Sequence, residues 1–157
     1  MYFFGTVYCW FNAFFCQNLE SYLWGFDGMD YTGRIWFNTF GVLAIAISAV
    51  IALLYYYVIN NPRWNRWWHW LVFLGLNGLT NMFYAATKTL SALNTPLIPE
   101  SLLYERDING EVVSTLIHSS DCWGFGFANF IVSTMFFVVI SFLIKWGSSN
   151  CKHSPIL

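Results

Sequence analysis

Residues Trp36 to Ile59 read WFNTFGVLAIAISAVIALLYYYVI. No charged side chain interrupts this run of about two dozen residues, and at about 1.5 Å per residue a helix of that length crosses the roughly 30 Å hydrocarbon layer of a bilayer. Lipid offers the backbone no hydrogen-bond partner, so a segment of this kind crosses as a helix and commits its neighbours to helices as well. The expected class is therefore an all-α membrane protein. Three transmembrane helices are expected, over 36–59, 68–87 and 125–144, with a fourth, N-terminal helix that is interfacial or re-entrant and a small extramembrane β-hairpin.

Composition points the same way. Of 157 residues, 57% are hydrophobic and only 10% charged, against about 25% charged in soluble domains. The aromatic share of 22% suits the membrane–water boundary, where amphipathic rings keep one edge wet. A net charge of −1 gives no electrostatic footprint for nucleic acid. One domain is expected, as no Gly-, Ser- or Pro-rich linker divides the chain.

Outward from the first span, residues 1–30 form an aromatic segment without the basic start and cleavage site of a secretory signal, and it is expected to be retained. Phe11, Phe14, Phe15, Leu19, Tyr22, Leu23 and Phe26 recur at helical spacing while Asn12, Gln17, Glu20 and Ser21 fall largely opposite, as in a helix lying in the interface. A crossing over residues 3–24 is the alternative, and it would carry Asn12, Gln17, Asn18 and Glu20 to membrane depth. Inside the first span Gly41, Ala44, Ser48 and Ala52 share one helical face. Small residues admit a close neighbour, whether from the same chain or a second copy. Tyr55, Tyr56 and Tyr57 are expected to form an interfacial belt at its end.

Residues 60–67 make a short basic link in which Arg63 and Arg66 reach lipid phosphates while Trp64, Trp67 and Trp68 anchor at carbonyl depth. In the second span Asn77, Thr80, Asn81, Tyr84 and Lys88 line one face, and amides at that depth must look at protein or water. Two readings follow: a polar lining for an ion or solute path, or interhelical hydrogen bonds that knit a bundle. The third span offers Asn129 and Ser133, continued by Phe137 and Ser141, as a seam for those amides. Residues 90–121 form the extramembrane loop, with a β-hairpin turning at Asn109-Gly110 in a two-residue type I′ turn. Asp107, Asn109 and Glu111 lack the spacing of a calcium loop. Residues 145–157 are a short tail.

Site chemistry is sparse. His69, His118 and His153 share no helical face, glycine-rich phosphate loops and a nucleophile elbow are absent, and Lys88 is the one charge near a span. Small four-helix membrane enzymes acting on lipids or glutathione usually need charged residues within their spans. No enzyme activity, cofactor or metal is expected. Arg63, Arg66, Lys145 and Lys152 fall on one side without an acid, whereas Arg34, Lys88 and Arg106 accompany all 8 acids on the other, which puts the N-terminus and the 90–121 loop outside and the C-terminus in the cytoplasm. Cys9, Cys16 and Cys122 then face an oxidising compartment; on one continuous helix Cys9 and Cys16 would be too far apart to bridge, so a disulfide would join one of them to Cys122 or to another copy.

Three spans with the N-terminus outside and the tail inside resemble the topology of one class of phage holin, and small oligomeric membrane effectors of bacterial defence share this economy of size. The resemblance is one of topology without a shared motif, and the weakly charged tail departs from the basic tail common in holins. The expected function is a homo-oligomeric, ion-permeable pore in a cell membrane, with the amides of several copies turned inward. The alternative is a structural or scaffold subunit that meets lipid, and another membrane protein through the 90–121 loop, with no conduction.

Overall fold

The computed structural model describes residues 3–59 and 67–145. The chain is mostly helical. Helices α1 (Phe3–Cys9) and α2 (Gln17–Leu23) flank a single 3-10 turn, Asn12–Phe14; the long helices are α3 (Trp36–Leu53, continued by a π turn, Leu54–Ile59), α4 (Trp67–Asn94) and α6 (Ser119–Ile144). Between α4 and α6 lie the one-turn helix α5 (Glu100–Leu103) and strands β1 (Tyr104–Arg106) and β2 (Val112–Thr115), paired antiparallel.

Two helical stretches, Trp36–Ile59 and Ser119–Ile144, are long and apolar enough to cross a membrane, and only 33% of the apolar stretch of each is buried within the chain. A core helix of a water-soluble fold would hide most of its apolar surface. Here Val50 and Leu53 of α3, and Val139 and Leu143 of α6, point outward. The α4 outer face is apolar too, through Val72, Leu76, Leu79 and Phe83, but Asn77, Thr80, Asn81 and Lys88 make this helix less apolar over its length.

Several expected boundaries move, each for a physical reason. The N-terminal segment is not one helix: it breaks between Cys9 and Gln17. On a straight helix Phe4 and Leu19 would stand about 22 Å apart; folding back lets both enter the same core with Tyr8, Phe15, Tyr22 and Leu23. Neither seven-residue piece is long enough to cross a bilayer. Helix α4 runs on past Thr87 to Asn94, where Thr95, Pro96 and a Leu97 N–H bonded to the Thr95 carbonyl end it. Helix α6 starts at Ser119, not near Phe125, because the Asp121 carboxylate accepts the His118 N–H at 2.8 Å and the Asp121 N–H returns to the His118 carbonyl at 3.0 Å.

The π turn buries Tyr55 and Tyr56 completely beside Trp70 and Phe137, so they belong to the core and only Tyr57 remains of the expected belt. The hairpin forms, yet its turn is wider than two residues. The Gly110 N–H reaches the Asp107 carbonyl at 2.8 Å, the Asp107 N–H reaches the Glu111 carbonyl at 2.9 Å, and Gly110 takes φ +82°, which a glycine adopts without strain. A register shift between Glu105 and Arg106 absorbs the extra residue.

Candidate functional site

The middle of the bundle is held by a chain of amides. Asn77 and Asn81 stand one turn apart on α4 and Asn129 and Ser133 one turn apart on α6, and all four are buried. Asn77 Nδ2 donates to the Ser133 carbonyl at 3.0 Å, and Asn81 Nδ2 donates to the Asn77 carbonyl at 3.0 Å and to Asn77 Oδ1 at 3.3 Å. Asn129 Nδ2 donates to the Asn81 carbonyl at 2.8 Å. Ser133 Oγ turns back to the Phe130 carbonyl, while Ser48 Oγ of α3 donates to the Ser133 carbonyl at 3.2 Å, so that one carbonyl joins all three long helices. Asn81 Oδ1 accepts no bond.

The small-residue face of α3 is used inside the chain. Gly41, Ala44, Ser48 and Ala52 are all buried. A Cβ on Gly41 would stand 2.1 Å from the Phe4 ring of α1, and Ser48 meets α6. Across the other seam, a Cβ on Gly126 would lie 2.9 Å from the Met82 carbonyl, so α6 and α4 touch nearly backbone to backbone.

Three members of the expected polar row, Thr80, Tyr84 and the exposed Lys88, lie outside the buried network. Thr80 is exposed and its hydroxyl donates to the Leu76 carbonyl at 2.8 Å, a bond within its own helix. Tyr84 is half-buried with its ring edge-on to Phe40, 6.1 Å between centroids, and lines a separate cavity. Trp67 and Trp68 are exposed at the start of α4 with rings 4.0 Å apart. Arg63, Trp64 and Arg66 lie outside the described residues, as do His153 and Cys151.

The network contains one residue that periodicity did not single out. Tyr8 of α1, fully buried, donates its hydroxyl to Asn129 Oδ1, and its ring stacks on Phe37 at 5.4 Å. The N-terminal segment is thereby tied to the amides. Trp70 adds a lower rung, its Nε1–H donating to Ser141 Oγ at 3.3 Å.

Outside the bundle the titratable groups are few and scattered. The Cys9 thiol donates to Glu20 Oε1 at 3.0 Å, and burial followed by that carboxylate pushes its pKa up to about 11. No disulfide joins Cys9, Cys16 and Cys122. Asp27 is exposed in the loop before α3, where the Thr32 hydroxyl and then the Asp30 and Met29 N–H groups hold its carboxyl down to about 2. Among the described residues no three His, Cys, Asp or Glu side chains come together as a metal-ligand set. Compared with known proteins, the chain matches no family model, no curated protein and no solved structure.

Proposed function

We propose that the protein is a non-enzymatic, membrane-anchored adaptor: a bundle of three spans that holds the segment before α3 and the 94–118 region at one membrane face for a second membrane protein. The observation that carries this reading is the closure of the amide network within a single chain. Asn77, Asn81 and Asn129 donate to backbone carbonyls of their own bundle, and Tyr8 occupies the oxygen of Asn129. An amide so engaged is not available to line a water path. The surfaces that α3, α4 and α6 turn outward are largely Val, Leu, Ile, Phe and Met, with Trp67, Trp68 and Trp123 toward the helix starts and Thr80, Thr87 and Lys88 among the exposed polar side chains of α4.

The third span rests on α4. Its outward face is apolar along Val72, Leu76, Leu79 and Phe83 while Asn77 donates to α6 and Asn81 is buried one turn on, the distribution a helix adopts between lipid and protein. At the far end the hairpin exposes Ile108, Val112 and Val113, which are costly to leave in water and suit recognition of a partner. Of the orienting cations, Arg34, Lys88 and Arg106 are at this end, which the positive-inside rule puts outside.

A ring of copies conducting ions is the second reading, and one observation favours it: Asn81 Oδ1, a buried acceptor without a donor. Planar-bilayer recording with purified protein separates the two. The adaptor reading expects no current above that of protein-free membranes from −100 to +100 mV, and retention of the protein in membranes washed at high pH. A current that Asn81→Leu abolishes while the variant still folds overturns it.

A further inference from the structure

A cavity of about 370 Å³ opens where α2, the start of α3 and the last turns of α4 meet. Its lining combines the buried Phe40 and the half-buried Tyr84, which make an apolar floor, with the exposed Leu97 and two exposed cations, Arg34 and Lys88. Among the described residues neither cation makes an ion pair. The Arg34 guanidinium lies over the Trp36 ring, 5.1 Å from the centroid, which fixes the side chain and leaves its N–H edge free to donate. Asp27 lines an adjoining cleft together with Arg34, and its oxygens already accept from Thr32, Met29 and Asp30.

Depth matters as much as charge. Trp36 opens the apolar run of α3, and Lys88 sits about 9 Å short of the end of α4, so both mark the level at which hydrocarbon gives way to headgroups. Two unpaired cations above an apolar floor at that level match a phosphate attached to acyl chains. A guanidinium supplies a planar fork for phosphate oxygens, the ammonium a point charge, and the floor the contact that a free phosphate does not use.

We propose that this cleft binds the phosphate headgroup of an anionic phospholipid, an inference that rests on the membrane reading above. The test uses the full chain purified in a neutral detergent, titrated with phosphatidylglycerol, phosphatidylcholine or inorganic phosphate, with bound lipid read by native mass spectrometry and thermal unfolding followed in parallel. Phosphatidylglycerol is expected to bind saturably and to raise the unfolding temperature, with phosphatidylcholine weaker. Arg34→Gln and Lys88→Gln are each expected to weaken binding about fivefold, the effect of one cation at a charged membrane surface. Lys88→Arg should keep it, and Arg106→Gln, which removes a cation already paired with Glu100 at 2.7 Å, should leave it unchanged.

Equal binding of the two lipids, or an equal effect of the Arg34, Lys88 and Arg106 changes, overturns the proposal. Inorganic phosphate that competes fully with the lipid overturns the lipid assignment and makes the cleft a phosphate site. None of these results bears on conduction, and release of the protein from washed membranes would instead remove the anchoring reading.

Discussion

The middle of the bundle and its aromatic end are both fully buried, and they are held by opposite means. At the middle, Ala44, Ser48, Asn77, Asn81, Asn129 and Ser133 make a core that is small and polar. At the end, Tyr8, Phe15, Phe37 and Phe40 surround Phe125 with ring centroids 5.0 to 6.1 Å away. Helices already in lipid gain little from burying one more leucine, since the tails outside are as apolar as the core; close approach and hydrogen bonds are what remain. If the aromatic end lies at the headgroup level, as the proposed function has it, water competes again there, and burying rings regains its usual free energy. On the proposed membrane reading, the two cores answer to two solvents along one axis.

The largest expected effect is at the aromatic end. Phe125→Ala removes the ring on which four others converge, and truncation of a buried Phe costs about 3–5 kcal/mol. Unfolding in mixed detergent followed by tryptophan fluorescence should show the loss, with helix content largely kept because the amides are untouched. An effect below about 1 kcal/mol would mean that the aromatic end contributes little and that the contrast fails.

Asn129→Leu comes next. It deprives the Asn81 carbonyl of its donor and leaves the buried Tyr8 hydroxyl without an acceptor, for a loss of about 1–3 kcal/mol. Because Tyr8 belongs to α1, the same change should free the N-terminal segment, read as faster hydrogen exchange over residues 3–23 than in Ser48→Ala. That second variant takes one of the two side-chain donors from the Ser133 carbonyl while Asn77 keeps the other, so its cost should be about 0.6 kcal/mol, the average for a hydrogen bond between membrane helices. Equal exchange in the two variants would detach the aromatic end from the amides.

The contrast also explains what could be read from the residues alone. The first long apolar helical stretch, Trp36–Ile59, was legible to the residue, because no charge interrupts it, and the burial of Asn77, Asn81, Asn129 and Ser133 agrees with the expected cost of amides at membrane depth. Three features were not. Tyr8 pairs with a residue 121 positions away, and in a segment so rich in aromatic side chains no periodicity marks one of them. The break between Cys9 and Gln17 has no proline or glycine to announce it, being set by the core that both halves must reach. The burial of Tyr55 and Tyr56 depends on a π turn, a tertiary adjustment that shifts the helix face. The early start of α6 did carry a signal, the Asp121 that lies three residues after His118, outside the apolar stretch that defined the span.

The smallest expected effect lies wholly in water and marks the outer limit of the aqueous solvent. Asp27 has a folded pKa of about 2 against an ordinary 3.8, so its carboxylate is the form the loop prefers, with the Thr32 hydroxyl and two backbone N–H groups as donors. A depressed carboxyl stabilises above its unfolded value and loses that contribution as pH falls through its folded one. The order of residues 27–32 should therefore be constant from neutral pH to about 4 and decline between about 4 and 2, seen as rising amide exchange at Met29 and Asp30 once the intrinsic pH dependence of exchange is removed. Asp27→Asn should lose most of this acid-range transition. The amides of α4 carry no proton to gain and should show no change over the same range. A transition shared by Asn77 and Asn81 would mean that the loop and the bundle open together, and that water reaches further along the axis than two separate cores allow.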